Sequence, residues 1–423
     1  MTSPGQTNIG NQFAQSGKTG TPTPTRKRNT TVTHSAKANI KVLFALTLVH
    51  FMGDFYSSFI NPLFPLFVAG LGLSLTEIGV IAGINRLLAF IVQPMVGYLS
   101  DRRPSRAFIL GGLLLPVVFI PLSGITIGFW TLLGAIAMGS IGSSMFHPSV
   151  TGMVPVYAGN RSGFSMSVFN TGGTLAFAIG PLFVTWYAAG FGLNALPLTM
   201  FFGLLVMLYL YRVVPAPRDE GFKNLGFMQT LSASLGSVWK SVALIWAVMF
   251  LRAVVGQSFL TFMPLLYVQK GYSVVSAGVI FSLFTLAGTV SGLASGLIAD
   301  RIGFKPVFIV IHMLMAPVLW IFLGLKGAWV YPGALLAGGM VLASLPLGVA
   351  MAQEIAPRGR SMVASLMMGF AFGLGGAVSP VIGKLADLYS IQSVLLWVSF
   401  LPLATLPFIL HFPRVRNGSS TTG

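Results

Sequence analysis

Charge is what this chain has least of: 8% of its 423 residues are Asp, Glu, Lys or Arg, against the roughly 25% usual in soluble domains. Only eight residues are acidic, and cysteine is absent. The missing cysteine excludes disulfides, thiol chemistry and thiolate metal sites. The missing charge excludes an ordinary water-facing surface. No Gly-x-x-x-x-Gly-Lys-Ser/Thr loop is present to bind a nucleotide. Residues 1–38 are polar and contain no apolar core followed by a small-residue cleavage site, so they read as a disordered tail without a signal peptide.

What is present is apolar sequence, 54% of the chain. Twelve stretches of about 20 residues suffice to cross a hydrocarbon core of about 30 Å as helices. They fall near 40–69, 74–100, 106–124, 129–154, 162–188, 193–213, 240–269, 274–299, 305–325, 329–353, 360–387 and 392–412. The fold class expected is an all-α integral membrane protein. The 50 glycines and 25 prolines within such a chain mark close helix approach and kinks, which packed membrane helices tolerate.

The net charge of +17 would suit nucleic acid, but the placement of the cations argues for orientation in a membrane instead. Arg26, Lys27, Arg28, Lys41, Arg102, Arg103, Arg106, Arg161, Arg212, Lys240, Arg301, Lys305, Arg358, Arg360, Arg414 and Arg416 all fall on one side if the spans alternate; Lys270, Lys326 and Lys384 fall on the other. The positive-inside rule then makes both termini cytoplasmic.

Gly97-Tyr-Leu-Ser-Asp-Arg-Arg-Pro-Ser-Arg106 returns as Gly296-Leu-Ile-Ala-Asp-Arg-Ile-Gly-Phe-Lys305, 199 residues later. The same offset links Lys41 to Lys240, Pro65 to Pro264, Arg161 to Arg360 and Pro181 to Pro380. One register over so many marks implies two parallel six-helix halves: a bundle over 39–213, a linker over 214–239, a second bundle over 240–412 and a tail over 413–423.

Gly-x-x-x-Asp-Arg-x-x-x-Arg/Lys between spans 2 and 3, repeated between spans 8 and 9, resembles the signature of the major facilitator superfamily. Further marks are similar to the bacterial fosmidomycin-resistance efflux family: His50-x-x-x-Asp54, Ser74-Leu-Thr-Glu-Ile-Gly79, Gln93-Pro-Met-Val-Gly-Tyr98, Gly142-Ser-Ser-Met-Phe-His-Pro148 and Ser167-Val-Phe-x-x-Gly-Gly173 with Gly180-Pro-Leu182. The chain departs from that family after Pro148, where Ser149-Val-Thr-Gly152 replaces an acidic residue and a nearby arginine. The resemblance implies alternating access in a bacterial cytoplasmic membrane, with spans 1, 4, 7 and 10 around a central cavity. The expectation is a proton-coupled antiporter exporting a small organic anion or amphiphilic drug; the alternative is a proton-coupled importer or facilitator of an organic anion. It is no enzyme, needs no cofactor or metal, works as a monomer in lipid, and takes protons and a small molecule as partners.

Asp54 lies about fifteen residues into span 1, roughly 20 Å along a helix. A charge at that depth faces a cavity or a partner. Arg86 and Arg252 lie at similar depths, and the resemblance sets Asp54 and Arg252 on facing walls. In one reading Asp54 is a proton switch: neutral, it frees an arginine to hold an anion, and deprotonated it takes the arginine back. In the other, a permanent Asp54–Arg86 pair locks spans 1 and 2. His50, one turn from Asp54, could relay protons, bond substrate or simply pack; a metal there would lack a third ligand in the sequence. His147 suits a packing or a substrate contact equally, and His312 reads as structural. Asn85, Gln257 and Asn61 offer hydrogen bonds, and Phe55, Tyr56, Phe259 and Phe262 apolar walls, though aromatics near a pore more often pack helices.

Asp101, Arg102 and Arg106, with Asp300, Arg301 and Lys305, are expected to form inter-helix latches at the cytoplasmic helix ends, completed by Arg161, Glu354 and Arg360. Plain orientation charges would explain Arg103 but not an aspartate recurring at the repeat offset.

Overall fold

A computed structural model describes residues 38–102, 106–159, 162–215, 236–356 and 366–413, together with Met1 and Val363. Among these residues all regular structure is helical. A chain in hydrocarbon must satisfy each backbone N–H and C=O within its own segment, and a helix does so. Eleven of the helical stretches are long and apolar enough to cross a membrane. The twelfth, span 11, is described from Leu366 onward.

Span 1 is two helices, α1 (Ile40–Ser57) and α2 (Ile60–Leu71). Pro62 explains the break: its ring collides with the carbonyl four residues back, at Ser58, and it has no N–H to donate. Then follow α3 (Leu75–Arg102), α4 (Arg106–Leu122), α5 (Phe129–Tyr157), α6 (Ser162–Phe191) and α7 (Thr199–Val213). The second half runs α8 (Trp239–Gln269), α9 (Val274–Ile302), α10 (Phe304–Gly324) and α11 (Val330–Ile355). Span 11 continues as a π turn, α12 (Ala371–Ala377) and α13 (Ser379–Leu388). Span 12 is cut by Pro402 and Pro407 into α14 (Ile391–Val398), α15 (Leu401–Ala404) and α16 (Leu406–Leu410). The spans lie where hydropathy placed them, with ends moved by up to about three residues.

The near side is where α1 begins, and the far side carries the turns at Gly72, Gly192 and Gly271. Each of those glycines has a positive φ, 66°, 78° and 90°, that other residues rarely adopt. Among the described residues the halves meet chiefly where span 2 packs on span 11 and span 5 on span 8, with the second part of span 1 also touching spans 7 and 8. On the far side this contact is backbone to backbone: a Cβ on Gly79 would strike the Ser379 carbonyl, and one on Gly383 the Leu75 carbonyl. Asp387 completes it by capping the start of α3 from the opposite half, accepting from Leu75 N at 2.9 Å, Thr76 N at 2.9 Å and Thr76 Oγ1 at 2.5 Å.

The sequence repeat is also a repeat of contacts. Arg106, at the start of span 3, donates to the Tyr211 carbonyl at the end of span 6 and lies 5.0 Å over the Tyr211 ring. Its counterpart Lys305 donates to the Leu410 carbonyl at 2.5 Å, at the end of span 12, and Tyr211 and Leu410 are themselves 199 positions apart. Both ties stay inside one half. Asp300, Arg301 and Glu354 are exposed. The Asp101 and Arg102 side chains, and all of Arg161 and Arg360, lie outside what is described, as do the expected tails and most of the linker.

Candidate functional site: a carboxylate between two imidazoles

Span 1 reaches Asp54 in its middle, with His50 one helical turn below on the same face. Span 4 brings His147 to the same point. The approach depends on Gly53, where a Cβ would run into the Phe146 ring, so Gly53-Asp54 and Phe146-His147 meet as two adjacent pairs. Span 5 comes in from the other flank at Gly173, where a Cβ would stand 2.6 Å from His50 Nε2 and 2.7 Å from Asp54 Oδ2. The paired glycines of span 5 mark the close approach expected of them, since Gly172 likewise abuts Thr47.

Asp54 receives both imidazoles. His50 Nε2 is 3.2 Å from Oδ2 and His147 Nε2 is 3.1 Å from Oδ1. The opposite ring nitrogens are also engaged: His50 Nδ1 donates to the Phe169 carbonyl at 3.0 Å and His147 Nδ1 to the Ser143 carbonyl at 2.6 Å. His50 stacks on Phe169 at 4.2 Å and His147 on Phe146 at 4.2 Å, which fixes both ring planes. The Asp54 and His50 side chains are 7% and 11% exposed, whereas that of His147 is 28% exposed and opens the group to solvent.

Carbonyl oxygens accept only, so each Nδ1 must carry a proton. A neutral imidazole then turns a lone pair from Nε2 toward a carboxylate oxygen, also a lone-pair donor. Each of the two contacts therefore needs one further proton, on the nitrogen or on the oxygen. The three side chains hold up to two such protons, and their joint charge runs from −1 with neither to +1 with both. A metal cation could stand in for the protons, because the three ligand atoms lie within 4.8 Å of one another.

Two expectations need correction. No arginine is within ion-pair distance of Asp54 among the described residues; the locking Asp54–Arg86 pair is absent, and imidazoles take its place. Arg86 is drawn across the halves instead, donating from Nε to Gln257 Oε1 at 3.0 Å. Arg252 does not face Asp54 either. It is 1% exposed, bonds the Val341 carbonyl through Nε at 2.9 Å and lies 5.3 Å over the Phe372 ring, while among the described residues Nη1 and Nη2 have no hydrogen-bond partner. The second concerns the third ligand atom missing from the sequence neighbourhood: His147 could offer one.

The remaining candidates divide. Asn85 accepts from Ser140 Oγ at 2.9 Å, tying span 2 to span 4, and Asn61 is half-buried. Tyr56 is fully buried with its hydroxyl on the Thr199 carbonyl at 2.6 Å; Phe55 packs on Phe51, Phe59 and Phe183, while Phe259 and Phe262 are sealed in the second half. These aromatics pack against neighbouring helices. Sequence reading placed His147 apart from Asp54, and its one local signal was the Phe146-His147-Pro148 motif.

A multi-span helical membrane protein with paired six-helix halves and a charged group at mid-depth has the build of a secondary transporter. The chain belongs to the Major Facilitator Superfamily, whose model matches residues 46–380. It is 28% identical to the fosmidomycin resistance protein of Escherichia coli (strain K12) over 382 residues, covering 88% of this chain and 92% of that one. It is 28% identical to the multidrug resistance protein MdtG of Serratia proteamaculans (strain 568) over 300 residues, 66% and 69% of the two chains. A bacterial homologue of the human lysosomal transporter Spinster, solved inward-facing and unoccupied, superposes with a TM-score of 0.71 at 15% identity, over 87% of this chain and 94% of that one.

Proposed function

We propose that this transporter exports an amphiphilic drug-like solute in exchange for protons, with His50, Asp54 and His147 as the proton-carrying group. One observation carries the reading: a mid-membrane carboxylate whose two contacts each require an exchangeable proton. The resistance relatives support the export direction. The near side, rich in Lys and Arg, is then the cytoplasm of a bacterial inner membrane. With the far side sealed by Asp387, Gly79 and Gly383, the molecule stands inward-facing. Rocking of the halves exposes the proton group to each side in turn.

Coupling follows from charge. Loading two protons moves the group from −1 to +1, which disfavours a cationic amphiphile and favours an anion. Exchange thus suits the former. An organic anion would travel with the protons, which is the uptake reading, and Arg86 at the same depth supports it by offering a guanidinium to a carboxylate or phosphonate. Proteoliposomes with an imposed pH gradient separate the two. Export by exchange requires that a gradient acid on the far side accelerate efflux of a labelled amphiphile, and that Asp54→Asn and His147→Ala abolish the acceleration. Gradient-driven transport at the parent rate in Asp54→Asn would end both readings.

A further inference from the structure

We propose that His50, Asp54 and His147 form a binding site for a divalent transition-metal ion of the zinc class. Three features on different helices converge on this.

The ligand set is two imidazole nitrogens and one carboxylate, the borderline donors that suit zinc, nickel and cobalt rather than magnesium or calcium. The tautomers are already those a metal needs. Each Nδ1 proton is held by a backbone carbonyl, Phe169 O or Ser143 O, which leaves each Nε2 lone pair pointing inward; this is the supporting hydrogen bond that orients metal-ligating histidines. The spacing fits as well. Zinc bonds of about 2.0–2.1 Å at tetrahedral angles set ligand atoms roughly 3.3 Å apart. The carboxylate meets each imidazole through a different oxygen, His50 Nε2 at 3.2 Å from Oδ2 and His147 Nε2 at 3.1 Å from Oδ1, so with Oδ2 as the ligand atom one separation is already in place. The widest is no more than 4.8 Å, and it closes through an inward movement of the His147 ring by up to about 1.5 Å. Gly173 lets span 5 close over the group, since a Cβ there would fall 2.6 Å from His50 Nε2 and 2.7 Å from Asp54 Oδ2, and the partial exposure of His147 gives the ion a way in.

An ion in this place excludes the exchangeable protons, so zinc arrests proton exchange. That consequence rests on the coupling reading above, whereas the binding itself does not.

The test uses the full-length protein in detergent without a histidine tag, and zinc chloride alone as the probe. Isothermal titration should show one zinc ion per chain in the wild type, with magnesium chloride silent. His147→Ala should weaken binding at least 100-fold, and His411→Ala, at an exposed position on the near side, should leave it unchanged. Zinc-edge X-ray absorption on the wild type covers the case of a poorly folding variant: it should show nitrogen and oxygen ligands with two imidazoles. No binding below 1 mM, unchanged affinity in His147→Ala, or a spectrum without two imidazoles would overturn the site. Zinc bound as expected with transport undiminished would leave the site standing and remove the coupling reading.

Discussion

One carboxylate reaches between the halves to complete the far-side contact, and removing it should shift the conformational balance by a calculable amount. Asp387 accepts two backbone N–H bonds and one hydroxyl bond at the start of α3, where no preceding turn satisfies those donors. Losing an N-terminal carboxylate cap costs about 0.5–2 kcal/mol. Because Asp387 is exposed, water replaces part of the loss, and a value near 1 kcal/mol applies, about a five-fold change in an equilibrium constant. The bonds join opposite halves, so the loss falls on the far-closed state alone. Asp387→Ala should therefore raise the far-open population about five-fold, and Thr76→Ala, which gives up only the hydroxyl bond, by about two-fold. The cysteine-free chain makes the measurement direct. Cysteines at Gly70 and Lys384, exposed on the far side of each half, take spin labels for double electron–electron resonance. Gly70 has open space where a side chain would go. A distance distribution unmoved by Asp387→Ala, or moved more by Thr76→Ala, would refute the reasoning.

Further outcomes are expected. Gly173→Ala forces a methyl against His50 and Asp54; overpacking of this kind costs about 1–3 kcal/mol. It should abolish gradient-accelerated transport in vesicles, whereas Gly190→Ala, with nothing near its Cβ, should leave it intact. Arg252→Met should raise the thermal midpoint of the purified protein, since a buried guanidinium with two unpartnered nitrogens gives way to an apolar chain of similar length. A buried donor left unsatisfied costs about 1–3 kcal/mol, so a gain of that order is expected, and a fall of similar size would contradict this account. Lys270, in the turn after α8, has its ammonium held below the usual lysine range by burial and then by neighbouring Lys326. Lys326→Ala should move its titration upward, as read by NMR of 13C-methylated lysines, and a downward or absent shift would count against the pairing.

Much of the fold was legible because its causes are local. A run of apolar residues long enough to cross lipid must be helical whatever surrounds it, and Pro62, Pro402 and Pro407 interrupt their spans through their own ring geometry. The 199-residue repeat disclosed two like halves, and the tie of Arg106 to Tyr211 and of Lys305 to Leu410 repeats it in three dimensions. Asp54 was legible as exceptional because an ionisable group at that depth is costly.

Its partners were not legible. Depth alone made Arg86 and Arg252 equal candidates, but depth is one coordinate and contact needs three. Helix rotation decided the matter, turning Arg252 into its own half toward Val341 and Phe372 and sending Arg86 across to Gln257. His147 sits 93 positions from Asp54, and only the meeting of spans 1 and 4 at Gly53 and Phe146 joins them. Composition, span number and symmetry thus follow from the chain alone, since each depends on sequence neighbours. Which side chains share the mid-membrane charge depends on how helices are turned against one another, and that is settled only when the bundle packs.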